Sequence, residues 1–140
     1  MTTSEELFGD KHVRRYIETN GEEGYDWRNG TKILILFTKG RKSGDERANA
    51  LIMEPDGADY LIVASKGGAP APPAWLLNLE AHPDAVEVQV KGDRFKANAR
   101  TATAEEKPRM WKKMNGAWPD YDSYQEKTDR QIPVVVLERI

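Results

Sequence analysis

Lys32-Ile-Leu-Ile-Leu-Phe-Thr38, the loop Lys39-Gly-Arg-Lys-Ser-Gly44 and the run Arg47-Ala-Asn-Ala-Leu-Ile-Met53 decide the fold of this chain. The first run is continuously apolar and β-favouring, which suits a strand covered on both faces. The second run follows a short glycine-bearing loop, so the two read as neighbouring strands. The same pattern continues downstream. Glu54-Pro-Asp-Gly57 is a turn signal ahead of a strand at Ala58–Ala64. Ala85–Val90 alternates through Val86, Val88 and Val90, and Lys91-Gly-Asp93 is a tight hairpin connection. Arg94–Thr101 alternates through Phe95, Ala97 and Ala99, and Pro133–Glu138 is a last β run. Six strands at hairpin spacing predict an antiparallel barrel or sandwich.

Helical signals lie around these strands. Ser4 to Thr19 is predicted to form an amphipathic helix, with Ser4 as N-cap, Glu5 and Glu6 in the first turn, and Asn20-Gly21 as its stop. Phe8, Val13, Tyr16 and Ile17 give it a narrow apolar stripe. That narrowness favours packing on the domain; peripheral contact with a membrane surface is the alternative. Shorter helices are predicted at Pro72–Glu80, at Ala104–Asn115 with Thr103 and Glu106 as a capping box, and at Tyr121–Asp129.

The chain has 140 residues, a formal net charge of −2, 39% hydrophobic and 31% charged residues, and no cysteine. The length fits one domain, with residues 1–30 as helix and connector and residues 31–140 as the β-rich body. The absence of cysteine excludes disulfides, a thiol nucleophile and a thiolate metal site. The charge balance argues against nucleic acid as partner. The N-terminus lacks the pattern of a signal peptide, so a cytoplasmic address is expected, with membrane association as the alternative. No His/Asp/Glu spacing resembles a metal site, and His12 and His82 are far apart.

Against that near-neutral background the basic loop is local. Lys39, Arg41 and Lys42 share it with Gly40, Gly44 and Ser43, and Arg47 follows. Backbone N–H groups and cations in one turn suit a phosphate-like anion. It is not a Walker A loop, because Ile35 stands where the first glycine belongs and a strand follows. Ala64-Ser-Lys-Gly-Gly68 again follows a strand, with Ala69-Pro-Ala-Pro-Pro73 and Trp75 behind it. A cation, a hydroxyl, a pliable backbone and an indole suit a planar heteroaromatic ligand with a phosphate tail. Tyr121 and Tyr124 are three residues apart and share a helix face. No protein nucleophile, acid–base pair or metal is marked, so any redox chemistry falls to a cofactor.

Gly40-Arg-Lys-Ser-Gly44 with Arg47, Val63-Ala-Ser-Lys-Gly-Gly68, Pro73-Ala-Trp-Leu-Leu-Asn78, and Tyr121, Tyr124 and Arg130-Gln-Ile-Pro-Val134 together resemble the deazaflavin-dependent nitroreductase family. The resemblance covers Thr31 to Ile140. It implies a six-stranded antiparallel split β-barrel of the FMN-binding type, mainly β with helices, that uses coenzyme F420. By the same resemblance Arg41, Lys42, Arg47 and Lys66 bind the cofactor phosphate with Ser43 assisting. Asn49, Ala64, Ser65, Trp75 and Asn78 border the ring, Ala48, Ala50, Leu51, Gly67, Ala74 and Leu76 complete the cofactor-binding set with Tyr124, and Tyr124 with Tyr121 closes the substrate side. Ser65, Tyr124 and Tyr121 are the expected catalytic groups. The implied reaction is hydride transfer from reduced F420 to a small electron-poor acceptor: quinones, enones, unsaturated lactones or nitroheterocycles. Lys127 and Ile52 stand where nitroimidazole-reducing members carry aromatics, which counts against that substrate. FMN in the same barrel, or a deazaflavin carrier without turnover, are the alternatives, and a monomer or weak dimer is expected.

Overall fold

The computed structural model describes residues 7–140. Six antiparallel strands close into a barrel in the order β1–β2–β3–β6–β5–β4. They are β1 (Lys32–Lys39), β2 (Glu46–Asp56), β3 (Asp59–Val63), β4 (Glu87–Val90), β5 (Asp93–Thr101) and β6 (Val134–Arg139). Around them lie α1 (Gly9–Glu18), α2 (Ala74–Ala81), α3 (Lys107–Ala117) and α4 (Asp120–Glu126).

The apolar runs are continuous because helices cover the outside of the strands that carry them. In β1, Leu34 and Leu36 join Met53, Ile62, Val88, Val135 and Leu137 in one cluster. Alternate residues Ile33, Ile35 and Phe37 pack in a second cluster with Tyr16 of α1. In β3 and β6, Leu61, Val63, Val134 and Val136 pack with Met110 and Met114 of α3 and Tyr121 of α4. Period-two alternation therefore fills two layers at once. Each fully buried aliphatic side chain contributes about 1.5–3 kcal/mol relative to exposure.

The helix predicted over Ser4–Thr19 is shorter, Gly9–Glu18; Ser4, Glu5 and Glu6 lie outside the described residues. Phe8 is extended and Gly9 takes φ +60°, so the chain turns into the helix there. The helix is held by burial as well as by its ends. Tyr16 is fully buried, donates to Ile33 O at 2.9 Å and accepts from Lys91 N at 2.7 Å. Burial pushes its phenol up to about 12. Among the described residues no helix is long and apolar enough to cross a membrane.

Other boundaries move for local reasons. The predicted turn at 54–57 is mostly strand: β2 runs through Pro55, opposite Tyr60, and only Gly57 and Ala58 turn. α2 starts at Ala74 because Pro72 and Pro73 lack N–H groups and Pro73 is extended. The capping box at Thr103 and Glu106 forms, with Thr103 N to Glu106 Oε1 at 3.0 Å and Glu106 N to Thr103 Oγ1 at 3.2 Å. Residues 104–106 make a turn under it, so α3 itself begins at Lys107. α4 spans Asp120–Glu126 rather than Tyr121–Asp129.

Candidate functional site

A cavity of about 1260 Å³ extends from the β1–β2 loop to the α3–α4 corner. Its wall includes Arg41, Lys42, Ser43, Arg47, Ala48, Asn49, Ala50 and Leu51, then Ser65, Lys66, Gly67, Ala74, Trp75, Asn78, Tyr121 and Tyr124. Two expected residues stand elsewhere. Ala64 and Leu76 pack in the barrel core, Ala64 beside Ile62 at the end of β3 and Leu76 in the first turn of α2.

The basic loop is braced by its own backbone. Gly40 N donates to Asp45 O at 2.8 Å, Gly44 N to Gly40 O at 2.9 Å, and Asp45 N to Ser43 Oγ at 3.1 Å. A Cβ on Gly40 would lie 2.6 Å from Ser43 Oγ, and Gly44 has φ +76°. From α2, buried Asn78 accepts Arg41 N at 3.0 Å and donates to Thr38 Oγ1 at 3.3 Å. Asn78, expected beside a ring, thus also latches the loop to the end of β1. Among the described residues Arg41, Lys42, Arg47 and Lys66 form no ion pair, whereas Arg94, Arg100, Arg109 and Arg139 each hold a carboxylate.

The second loop is tightly shaped. Lys66, Gly67 and Gly68 have φ of 49°, 64° and 83° in succession. A Cβ on Gly68 would lie 2.5 Å from Tyr124 O, so glycine is required where this loop meets α4. The Arg130 guanidinium donates to Ala64 O at 3.0 Å, Ser65 O at 2.8 Å and Ala69 O at 3.2 Å. Gln125 of α4 donates to Arg130 O at 2.7 Å and accepts Ile132 N at 2.9 Å. Ser65 and Tyr124 are therefore tied to one bonded unit, which gives the Arg130-Gln-Ile-Pro stretch a structural task.

At the other end the wall is aromatic, and sequence reading missed most of it. Trp27 and Trp118 stack with centroids 5.9 Å apart and planes at 23°. Trp118 Nε1 donates to Tyr124 Oη at 3.2 Å, and Trp27 Nε1 donates to Leu7 O at 3.0 Å. Tyr121 and Tyr124 meet edge to face at 6.0 Å. Tyr121 is buried, and that burial, with the neighbouring Tyr124, drives its phenol pKa up. His12 also lines the cavity; its Nε2–H donates to Gly24 O at 2.9 Å, which sets the tautomer, and burial lowers its pKa. Ile52 is in the wall, and Lys127 instead places its ammonium 5.6 Å from the Tyr124 ring centroid. Trp27, Trp118 and His12 sit in segments with no loop motif, and only the tertiary structure brings them together. No cluster of metal-ligating side chains occurs among the described residues.

Residues 9–139 match the family described as F420H(2)-dependent quinone reductase. An F420H(2)-dependent quinone reductase of Mycobacterium tuberculosis is 40% identical over 131 residues, covering 91% of this chain and 87% of that protein. A solved structure described as an F420-H2 dependent reductase is 40% identical with TM-score 0.69, covering 76% of this chain and 93% of the other. A second, described as a domain-swapped dimer, is 37% identical with TM-score 0.72, covering 90% and 92%. A haem storage protein of Vibrio cholerae, 13% identical with TM-score 0.57, shares the fold alone. The relatives matched at high identity and named for a cofactor are named for F420, so the FMN alternative gains no support. The cation-lined loop, the braced Ser65 turn and the aromatic end thus lie in a chain that belongs to the F420H(2)-dependent quinone reductase family.

Proposed function

We propose that this protein binds reduced F420 in the cavity and uses it to reduce quinone-type, electron-poor acceptors. The observation that supports this most is that Arg41, Lys42, Arg47 and Lys66 all line a cavity with an aromatic wall and have no carboxylate partner among the described residues. Like charges held together without counter-ions are repulsive unless a ligand neutralises them. The volume exceeds that of a typical drug-sized pocket, which leaves room for a cofactor beside a second planar molecule. The residues present therefore fit the cofactor.

Arg41, Lys42, Arg47 and Lys66 would hold its phosphate, with Ser43 assisting and Asn78 fixing the loop. Ala48, Asn49, Ala50, Leu51, Gly67, Ala74 and Trp75 would border the ring, with Ala64 and Leu76 supporting that wall from the core. When bound, the reduced deazaflavin supplies a hydride from its carbon 5. The protein's share is positioning and a proton. The Ser65 hydroxyl polarises the acceptor oxygen, and the Tyr124 hydroxyl donates to it. Buried Tyr121 shapes the wall on that side.

Mixing the protein with F420H2 and menadione, and following cofactor absorbance, tests the reading. Oxidation of F420H2 dependent on both protein and quinone is expected. Stoichiometric binding without turnover across quinones and enones would instead make the protein a carrier, and micromolar FMN binding without an F420 response would overturn the cofactor assignment.

A further inference from the structure

We propose that Trp118 is a positioning residue for proton transfer, holding the Tyr124 oxygen so that its hydrogen is presented to the acceptor. The inference rests on the functional reading above and extends it to a residue that no loop motif marks.

The indole N–H is only a donor, so in the Trp118–Tyr124 bond the phenol oxygen must accept. Its own hydrogen is then free, and among the described residues nothing accepts it. Both Trp118 and Tyr124 line the cavity, so the phenol's hydrogen is available to a molecule bound there. Trp118 is held firmly enough to act as a reference. It is the corner between α3 and α4: its N–H donates to Met114 O at 2.9 Å, and its carbonyl accepts Tyr121 N at 3.1 Å. Its ring is backed by Trp27, whose indole is bonded in turn to Leu7 O.

The bond also strengthens when it is needed. In the transfer the acceptor carbon gains a hydride, the Tyr124 O–H bond breaks, its proton goes to the acceptor oxygen, and a phenolate remains until water returns a proton. A hydrogen bond to an ionised oxygen is roughly twice as strong as one to a neutral oxygen. The Trp118 N–H therefore stabilises the charge that develops, and the Lys127 ammonium beside the same ring adds to it. Tyr121 lacks both features. It is buried and has no N–H on its oxygen among the described residues, so the two tyrosines on one helix face differ in task.

Trp118→Phe keeps a smaller aromatic ring against Trp27 and removes the N–H. It should lower kcat about 10- to 100-fold, the worth of a bond to a charged oxygen, with KM and F420 affinity unchanged. Tyr124→Phe should lower kcat at least as much, and the double variant should match Tyr124→Phe alone. Multiplicative losses in the double variant, or a rise in KM with kcat preserved, would overturn the assignment. A second readout needs no cofactor. In ¹⁵N-tryptophan-labelled protein, the indole proton lost in Trp118→Phe should exchange slowly with solvent in the wild type and faster in Tyr124→Phe. An exchange rate indifferent to Tyr124 would also overturn it. An inactive wild type is a different result, because it refutes the functional reading itself.

Discussion

The face built from β5, α3 and the end of β6, and the loop between β1 and β2, are both rich in cations. On the first, Arg100 bridges Glu106 and Glu138, Arg109 and Lys113 share Asp56, and Arg139 holds Asp93. On the second, the loop is braced by its own backbone bonds and by Asn78 on Arg41 N, and among the described residues the charges of Arg41, Lys42 and Arg47 are unmatched. The matched charges tie elements of the fold together and are largely screened by water. The unmatched ones are a field waiting for an anion. Counting lysines and arginines cannot distinguish the two regions; their partners can.

Neutralising the unmatched side should have the largest effect. Arg41→Ala with Lys42→Ala should weaken F420 binding by roughly 100-fold at low salt while leaving Tm unchanged, since each contact to a charged group contributes about 1.5–3 kcal/mol at most. Fluorescence titration across salt concentrations checks both the loss and its screening. If Tm falls and affinity holds, the loop is structural. Asn78→Ala, which frees the loop without touching its charge, should cost about 10-fold in affinity with a weaker salt dependence than the double variant. Calorimetric titration of the same variants separates the two effects.

On the matched side the expected effects are smaller. Arg100→Ala should lower Tm by about 3 °C and leave F420 affinity unaltered, as thermal scans with and without ligand would show. Its carboxylate partner also sets an acid limit. The Arg100 guanidinium, and then the Thr103 N–H, hold Glu106 down to about 2 from its ordinary 4.5. That contribution is complete above 4.5 and is lost as pH falls towards 2. His12 acts earlier. Burial depresses its pKa below 6.5, so the unfolded chain takes the proton first and stability declines as pH falls below 6.5. Denaturant titrations between pH 7 and pH 5 should show a shallower slope for His12→Gln than for the wild type.

Much of the barrel is legible because its signals are local. The alternation in Val86–Val90 and Phe95–Ala99, the Lys91-Gly92 turn and the capping box at Thr103 each act within a few residues, and each is present in the structure. The failures are local too. Pro55 looked like part of a turn because proline usually ends a ladder, yet here it sits at the last pairs of a hairpin. Ala64 and Leu76, expected by resemblance in the cofactor-binding set, lie in the barrel core. Period-two and helical geometry turn their side chains inwards, behind the wall that Ser65 and Trp75 line.

A basic, glycine-bearing loop between two buried strands, and a second cation–glycine turn after the third strand, follow from residue order alone. Glycine, charge and apolar alternation carry their meaning over short spans. Only folding set which cations find carboxylates among the described residues, brought Asn78 to Arg41 across 37 positions, and made Trp27, Trp118 and Tyr124 meet. Those relations depend on how the closed barrel seats α1, α2 and the α3–α4 corner around one cavity. That seating is set by burial of both faces of β1, β3 and β6, and no single stretch of sequence contains it.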